Sequence, residues 1–326
     1  MKLPHRRQFL HLASGAVALP VASHAAWAQA YPTRPVRWIV GSAAGAGPDI
    51  VARMLGQRLS ERLGQPIIIE NRPGAGTNIA TEAVVRAPPD GHTLIFVTNA
   101  NAINATLYDK LSFVFLRDIA PVASFNRLPL TMIVNPSVPA KTIPELIAYA
   151  KANPGKLTMA SGGNGTVSHV AGELFKMMTA VDMPSVVYRS GPFALTDLLG
   201  GHVHVLFDAL AGSIENIKAG KLRPLAIAAA TRSEMLPEVP TMTDFLPGFE
   251  ASAMFGAGVP RNTPMEIVDR LNREINAILT EPKIRAQFAQ MGATVVALSP
   301  ADYGRLIAEE TEKWAKVIKF ANIKLE

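Results

Sequence analysis

The sequence predicts an α/β protein of two domains, each a mainly parallel sheet flanked by helices. Short apolar runs alternate with stretches of helical periodicity along the chain after residue 30. A glycine-rich turn feeding a helix occurs twice, in "GSAAGAGPDIVARML" (41–55) and in "GGNGTVSHVAGELFKMM" (162–178). The length, 326 residues, accommodates two such units.

The elements follow in order. "VRWIV" (36–40) reads as a buried strand, and Ile50, Val51, Met54, Leu55, Leu59 and Leu63 then share one helical face. "PIIIE" (66–70) is a strand, "RPGAGTN" a loop, 78–87 a helix, "PPDGH" a turn and "TLIFV" (93–97) a strand. "LPLTMIVN" (128–135) starts the second half, and a helix lies within "VPAKTIPELIAYAKANPGK". The strand "LTMAS" (157–161) leads into the second glycine-rich turn. Val167, Val170, Ala171, Leu174, Phe175 and Met178 recur there at helical spacing. Next come "SVVY" (185–188), a helix over 193–199, "VHVLF" (203–207), a helix over 212–219 and "LRPLAIAAA" (222–230). "PEVPTMTDFLPGFEAS" reads as a crossing connection, and helices over 264–279 and 300–320 close the chain.

Composition removes several functions. The chain is 48% hydrophobic and 18% charged, with a formal charge of +6. Without Lys2, Arg6 and Arg7 the remainder carries 29 basic against 26 acidic residues. No Lys/Arg run is interleaved with aromatics, so nucleic acid is not an expected partner. The absence of cysteine excludes disulfides, thiol chemistry and a lipidated cysteine anchor. The first 30 residues read as an export signal. "HRRQFL" is basic, "HLASGAVALPVASHAAWAQA" is apolar, and Ala28-Gln29-Ala30 offers a small-x-small cleavage site. Arg6-Arg7 with Phe9-Leu10 resembles a twin-arginine signal; an ordinary secretory signal with two arginines is the alternative. Either predicts export to a bacterial periplasm, with cleavage after Ala30.

Tests for catalytic and cofactor motifs fail in an informative way. Gly45-Ala46-Gly47 supplies two glycines of a dinucleotide fingerprint, but Ile50 holds the third position. No Gly-Lys-Ser/Thr follows, so the nucleotide-hydrolase loop fails too. No G-x-S-x-G elbow exists, and Ser168 and His169 are helix neighbours that point apart. His169 reads either as a local hydrogen-bonding residue or as a pocket-lining donor. His202 and His204 share a strand face without a third metal ligand. Asp208, at the end of "VHVLF", either accepts from a ligand or caps the next turn. The expectation is therefore no enzyme, no cofactor and no metal. What remains is two helix N-termini facing a cleft, an arrangement that favours anions.

These pieces resemble the Bug (TctC-type) family, the extracytoplasmic solute receptors of tripartite tricarboxylate transporters. "YPTRPVRWIV", "AAGAGPDIVARML", "IIIENRPGAGTNIATEAVVRAPPDGHTL", "SGGNGTVSHVAGELFK", "ALTDLLGGHVHVLFD" and "LRPLAIAAATRSEMLPEVPTMTD" follow in family order. The resemblance implies a two-domain, type II-like Venus-flytrap fold. Domain 1 would span 31–130 and 251–326, and domain 2 would span 131–250. It also implies a non-enzymatic, monomeric receptor that grips a small carboxylated solute, an organic acid or amino acid, through main-chain N–H groups and waters. The solute would be delivered to membrane permease subunits or to a sensor; a periplasmic enzyme acting on an organic acid is the remaining alternative. The expected contacts are Ala44, Gly45, Ala46, Gly47 and Asp49 from the first loop. Gly163, Gly165, Thr166 and His169 come from the second, and Asn99, Asn101 and Asp208 stand at the rim.

The sequence departs from the family pattern in both pocket walls. Gly41 and Ser42 stand where Pro and an aromatic are usual, Ala46 replaces a glycine and Pro48 a common Thr. "YRSGPFALTD" replaces Tyr-x-Gly-Ser-x-Pro-Ala. A roomier or wetter site is expected at Ser42, offset by Phe193.

Overall fold

The computed structural model describes residues 31–325; the expected export segment and its cleavage site lie outside them. β1 (Val36–Val40) enters α1 (Gly47–Leu63) through the first glycine-rich turn. β2 (Ile67–Asn71), α2 (Asn78–Val85), β3 (Thr93–Thr98), α3 (Asn99–Leu107) and the single-turn α4 (Phe115–Asp118) follow. The long β4 (Ile119–Val134) leads to α5 (Ile143–Ala152), β5 (Met159–Ser161), α6 (Val167–Thr179) and β6 (Ser185–Val187). Then come α7 (Gly191–Gly200), β7 (Val205–Ala209), α8 (Leu210–Lys218) and β8 (Arg223–Ile227). β9 (Ser252–Pro260) runs back, and α9 (Met265–Leu279), α10 (Pro282–Gln290), β10 (Thr294–Val295) and α11 (Pro300–Ala321) complete the chain.

The strands run in the order β2-β1-β3-β9-β4-β7-β5-β6, with β8 and β10 also on β4. β1 is parallel to β2 and β3, and β5 is parallel to β6 and β7. β4 belongs to both halves. Its residues from Ile119 to Pro129 pair antiparallel with β9, and those from Leu130 to Val134 pair with β7 and β8. Pro129 has no N–H to give, and Leu130 donates to Ala251 O at 3.0 Å, where the chain comes back. This is a two-domain flytrap architecture, with the backbone crossing on adjacent strands.

Each half has its own core. Trp38, Phe96 and Phe125 are fully buried, with ring centroids 5.6–5.9 Å apart in tilted and edge contacts, between the first sheet and helices α1 and α9. The second core gathers Met132, Val205, Phe207 and Phe249 with Val170 and Phe175 of α6. Trp314, Val317 and Ile318 of α11 join it, together with Ile103 and Leu107 of α3. The C-terminal helix therefore packs against both halves.

β9 departs from the expectation: the crossing connection over 237–252 reaches only its first residue, Ser252, and no element is expected over 253–260. "SAMFGAGVP" lacks the β-branched density of a strand, yet it is central. Its glycines are small because neighbours occupy their side-chain space. A Cβ on Gly256 would lie 2.1 Å from the Tyr303 hydroxyl, and one on Gly258 2.6 Å from Ile119. β4 begins at Ile119 rather than at residue 128, and α3 and α10 were not foreseen. α3 carries three asparagines, poor helix formers, and starts because Thr98 and Asn101 form a reciprocal capping box.

Candidate functional site

A cavity of about 380 Å³ opens where the two halves meet. Gly41, Ser42 and Pro48 reach it from the β1–α1 turn, and Gly76 and Thr77 from the β2–α2 turn. Thr98, Asn99, Ala100, Asn104 and Tyr108 supply the α3 wall, and residues 164–167 face them from the other half. Leu107, Val167, Ala253 and Phe255 make part of the lining apolar. No charged side chain lines it among the described residues.

Charge comes from the backbone instead. α1, α3 and α6 all begin at this cavity, and the first N–H groups of a helix have no acceptor within it. Thr166 caps α6, its hydroxyl accepting from His169 N at 3.4 Å, which leaves the Val167 and Ser168 N–H groups at the helix mouth. The hydroxyls of Ser42 and Thr77 are buried here without a hydrogen-bond partner. Ala75, Gly76 and Thr77 all have positive φ, and two of them are not glycine, a concentration of strain typical of ligand loops. Asn104 holds this turn by donating to Gly76 O at 2.5 Å and to Asn78 Oδ1 at 3.0 Å.

The departure at 41 now has a physical reason. A Cβ on Gly41 would stand 2.6 Å from the Cβ of Thr77, so the left-handed turn leaves no room for the usual proline. Phe193 does not offset the lost aromatic. It is 45% exposed beneath the Arg189 guanidinium, 4.1 Å from its ring centroid, and is absent from the cavity wall. Tyr108 and Phe255 are the aromatics present there.

The expected contacts divide in two. Gly165, Thr166 and Asn99 line the cavity; Ala44, Gly45, Ala46, Gly47, Asp49, Asn101, Gly163, His169 and Asp208 do not. Several are already engaged. Gly45 N donates to Asp49 Oδ2 at 2.8 Å and Ala46 N to Ala43 O at 3.2 Å, so neither N–H is free in this conformation. Asp49 also accepts from Arg53 Nε at 3.0 Å and Asn71 Nδ2 at 2.9 Å, and so fastens the loop in this conformation. Burial works to raise its pKa, but these donors outweigh it and hold the carboxyl below its ordinary range. Asn99 pins α3 to β9 with both ends of its amide, donating to Ser252 O and accepting from Met254 N. Asn101 accepts from Thr98 N and donates to Thr81. Both asparagines are structural through their side chains, and Asn99 offers the site its backbone.

His169 is an acceptor behind the loop. Gly165 N donates to its Nδ1 at 3.2 Å, and its Nε2 lies 3.8 Å from Glu173 Oε1. The proton therefore sits on Nε2. Burial depresses the imidazole pKa, Glu173 opposes that shift and Lys176 adds to it. A group depressed in this way contributes stability that is complete above the ordinary value near 6.5 and lost as pH falls through it. A proton NMR titration of His169 should give a midpoint below about 6.5; a midpoint at or above that value would mean the imidazole does not hold Gly165 as described. Ser168 donates to Phe207 O at 2.6 Å, so the two neighbours form no nucleophile–base pair. His204 accepts from Thr158 N at 3.1 Å, and the described residues contain no cluster able to hold a metal.

Asp208 stands apart. It lies on β7 opposite Thr131 and does not cap α8, whose N-cap is Ala209. Burial pushes its carboxyl up to about 6, against the N–H of Ala209.

Residues 51–323 match the tripartite tricarboxylate transporter family receptor, TctC. The chain belongs to the TctC receptor family. The receptor is 34% identical over 320 residues to the protein BugT of Bordetella pertussis, covering 97% of each chain. Among solved structures it is similar to R. palustris Rpa4515 with adipate. That likeness has 35% identity and a TM-score of 0.78, and covers 90% of this chain and 99% of the other. MatC from Rhodopseudomonas palustris with bound malate is 32% identical with a TM-score of 0.74, covering 88% of this receptor and 100% of that chain. No described helix of the receptor is long and apolar enough to cross a membrane.

Proposed function

We propose that this receptor captures a small carboxylated solute in the cleft between its halves and releases it, unaltered, to the permease subunits of a tripartite-type transporter. The observation that carries this reading is a cavity where three helices begin and, among the described residues, no side chain is charged. A carboxylate there draws on oriented N–H groups, the partner-free hydroxyls of Ser42 and Thr77, and bridging water. A ligand ammonium would find no carboxylate in the wall, which favours organic acids over amino acids. That relatives of similar sequence were solved with adipate and malate supports the same class.

The reading takes residues 31–130 and 251–326 as one domain and 131–250 as the other, with β4 and β9 as the crossing strands that bend on closure. It also takes the N-terminal 30 residues as a cleaved signal for the periplasm, and the receptor as a monomer. Delivery to a sensor is the alternative use of the same closure.

A thermal-shift screen of mono-, di- and tricarboxylates and amino acids tests it. An acid at 100 times its dissociation constant should add about 2.7 kcal/mol of stability. If no carboxylate moves the melting point, or amino acids alone do, the reading fails.

A further inference from the structure

We infer that the receptor has a second binding site, for a single small oxyanion, in a groove at the hinge. This groove encloses about 510 Å³ and shares no lining residue with the cleft. Its floor is Thr131 on β4 and Ile227 on β8, which are cross-strand partners and so present the same face. One wall is the segment of residues 231–235 that follows β8. The other comes from α10 and β10, through Arg285, Gly292 and Thr294. The floor belongs to the second sheet and the first wall continues from its strand β8, whereas β10 pairs with the first. A ligand held here bridges the two halves.

Two guanidinium groups face this space without a carboxylate of their own. Arg232 and Arg285 are both exposed, and neither makes an ion pair among the described residues; Arg232 donates a single hydrogen bond, to Pro237 O at 3.0 Å. Such planar forks match an oxyanion in geometry as well as charge. The second observation lies on the floor. Thr131 is fully buried, it lines the groove, and its Oγ1 has no hydrogen-bond partner. A buried hydroxyl costs stability unless it finds one, and an oxyanion oxygen would accept from it. Thr294 and Ser233 add hydroxyls at the edges.

Two acids limit what can bind. Glu234 stands exposed on the rim, and Asp208 shares the sheet face with Thr131 across the β4–β7 pair without lining the groove. With these nearby, two arginines hold one small anion and not a polyanion such as nucleic acid. The chemistry is that of an ion of sulfate or acetate size, distinct from the cleft, where no arginine takes part.

Isothermal titration with sulfate and, in parallel, with acetate at low ionic strength tests the assignment. Saturable binding of either at one site is expected, and the tighter one names the ion. Changing Arg232→Ala and Arg285→Ala together should weaken it at least tenfold. Both side chains are exposed, so the fold should survive, as melting curves would show. Thr131→Val should weaken binding about threefold by removing one donor, and Ser42→Ala, which removes a hydroxyl of the cleft without altering how the halves pack, should leave it unchanged. The inference is overturned if neither ion binds, if binding ignores the arginine changes, or if it falls with Ser42→Ala.

Discussion

Gly165→Leu is expected to reduce carboxylate affinity at least a hundredfold, about 2.7 kcal/mol. Gly165 sits in the left-handed region at φ +68°, and a Cβ built there would lie 2.3 Å from Leu107 Cδ2. The clash is across the cleft, because Leu107 belongs to α3 of the first half and Gly165 to the loop that starts α6 in the second. A leucine must therefore either push the loop off α3 or wedge the halves apart. Both outcomes carry the Val167 and Ser168 N–H groups away from the position facing Ser42 and Thr98. The left-handed backbone costs about 1–2 kcal/mol for any L side chain, and overpacking adds about 1–3 kcal/mol. Gly220→Leu separates strain from contact. Gly220 has nearly the same φ, +69°, with nothing within 4 Å of its Cβ, so this variant should lose stability and keep its ligand. Titrating both variants with the carboxylate that most raises the wild-type melting point decides the matter, and wild-type affinity in Gly165→Leu would remove the second loop from the site.

Asp208→Asn is expected to stabilise the receptor by about 1–3 kcal/mol at pH 8 and to change little near pH 4. Burial is the leading cause of a carboxyl pKa of about 6, against an ordinary value near 3.9. A group whose folded pKa is raised contributes its full stability below the unfolded value, and that contribution is lost as pH rises through the folded one. Two pH units correspond to about 2.7 kcal/mol, an upper bound for a side chain that retains some solvent contact. Asparagine keeps an oxygen for the Ala209 N–H and removes the charge. Urea unfolding at pH 4 and pH 8 measures the difference, and equal stabilities at pH 8 would show that the buried charge carries no penalty. His169 acts in the opposite sense, losing stability as pH falls below about 6.5. The Asp208→Asn background should therefore expose a single rising slope in the wild type's otherwise compensated profile.

Both predictions rest on features of different legibility. The parallel strands, the helical faces that follow them and the two glycine-rich turns were readable, because side-chain periodicity is a local property. Val36–Val40 and Thr93–Thr98 match their expected spans closely. Gly165 and Thr166 were also readable as a helix start, since a glycine-rich turn ending in a capping threonine marks one whatever surrounds it, and both line the cavity. β9 was not readable. Its glycines and alanines look like a linker until Tyr303, Ile119 and Ile95 are seen to fill the space beside them.

In the site the same division holds at the level of single atoms. Sequence alone determined an α/β fold without cysteine in which glycine-rich turns feed helix starts, because residue type and spacing fix those properties locally. Only the tertiary structure decided which groups are free to bind. Asp49 and Gly45 close on each other, Asn99 is drawn to β9, and His169 turns behind its own loop. Thr77 arrives from the glycine-containing turn "RPGAGTN", which reads only as a loop, Tyr108 from the end of α3, and Asp208 is carried by β7 to the hinge. Hydrogen-bond partners are chosen by distance in space, which spacing along the chain does not encode.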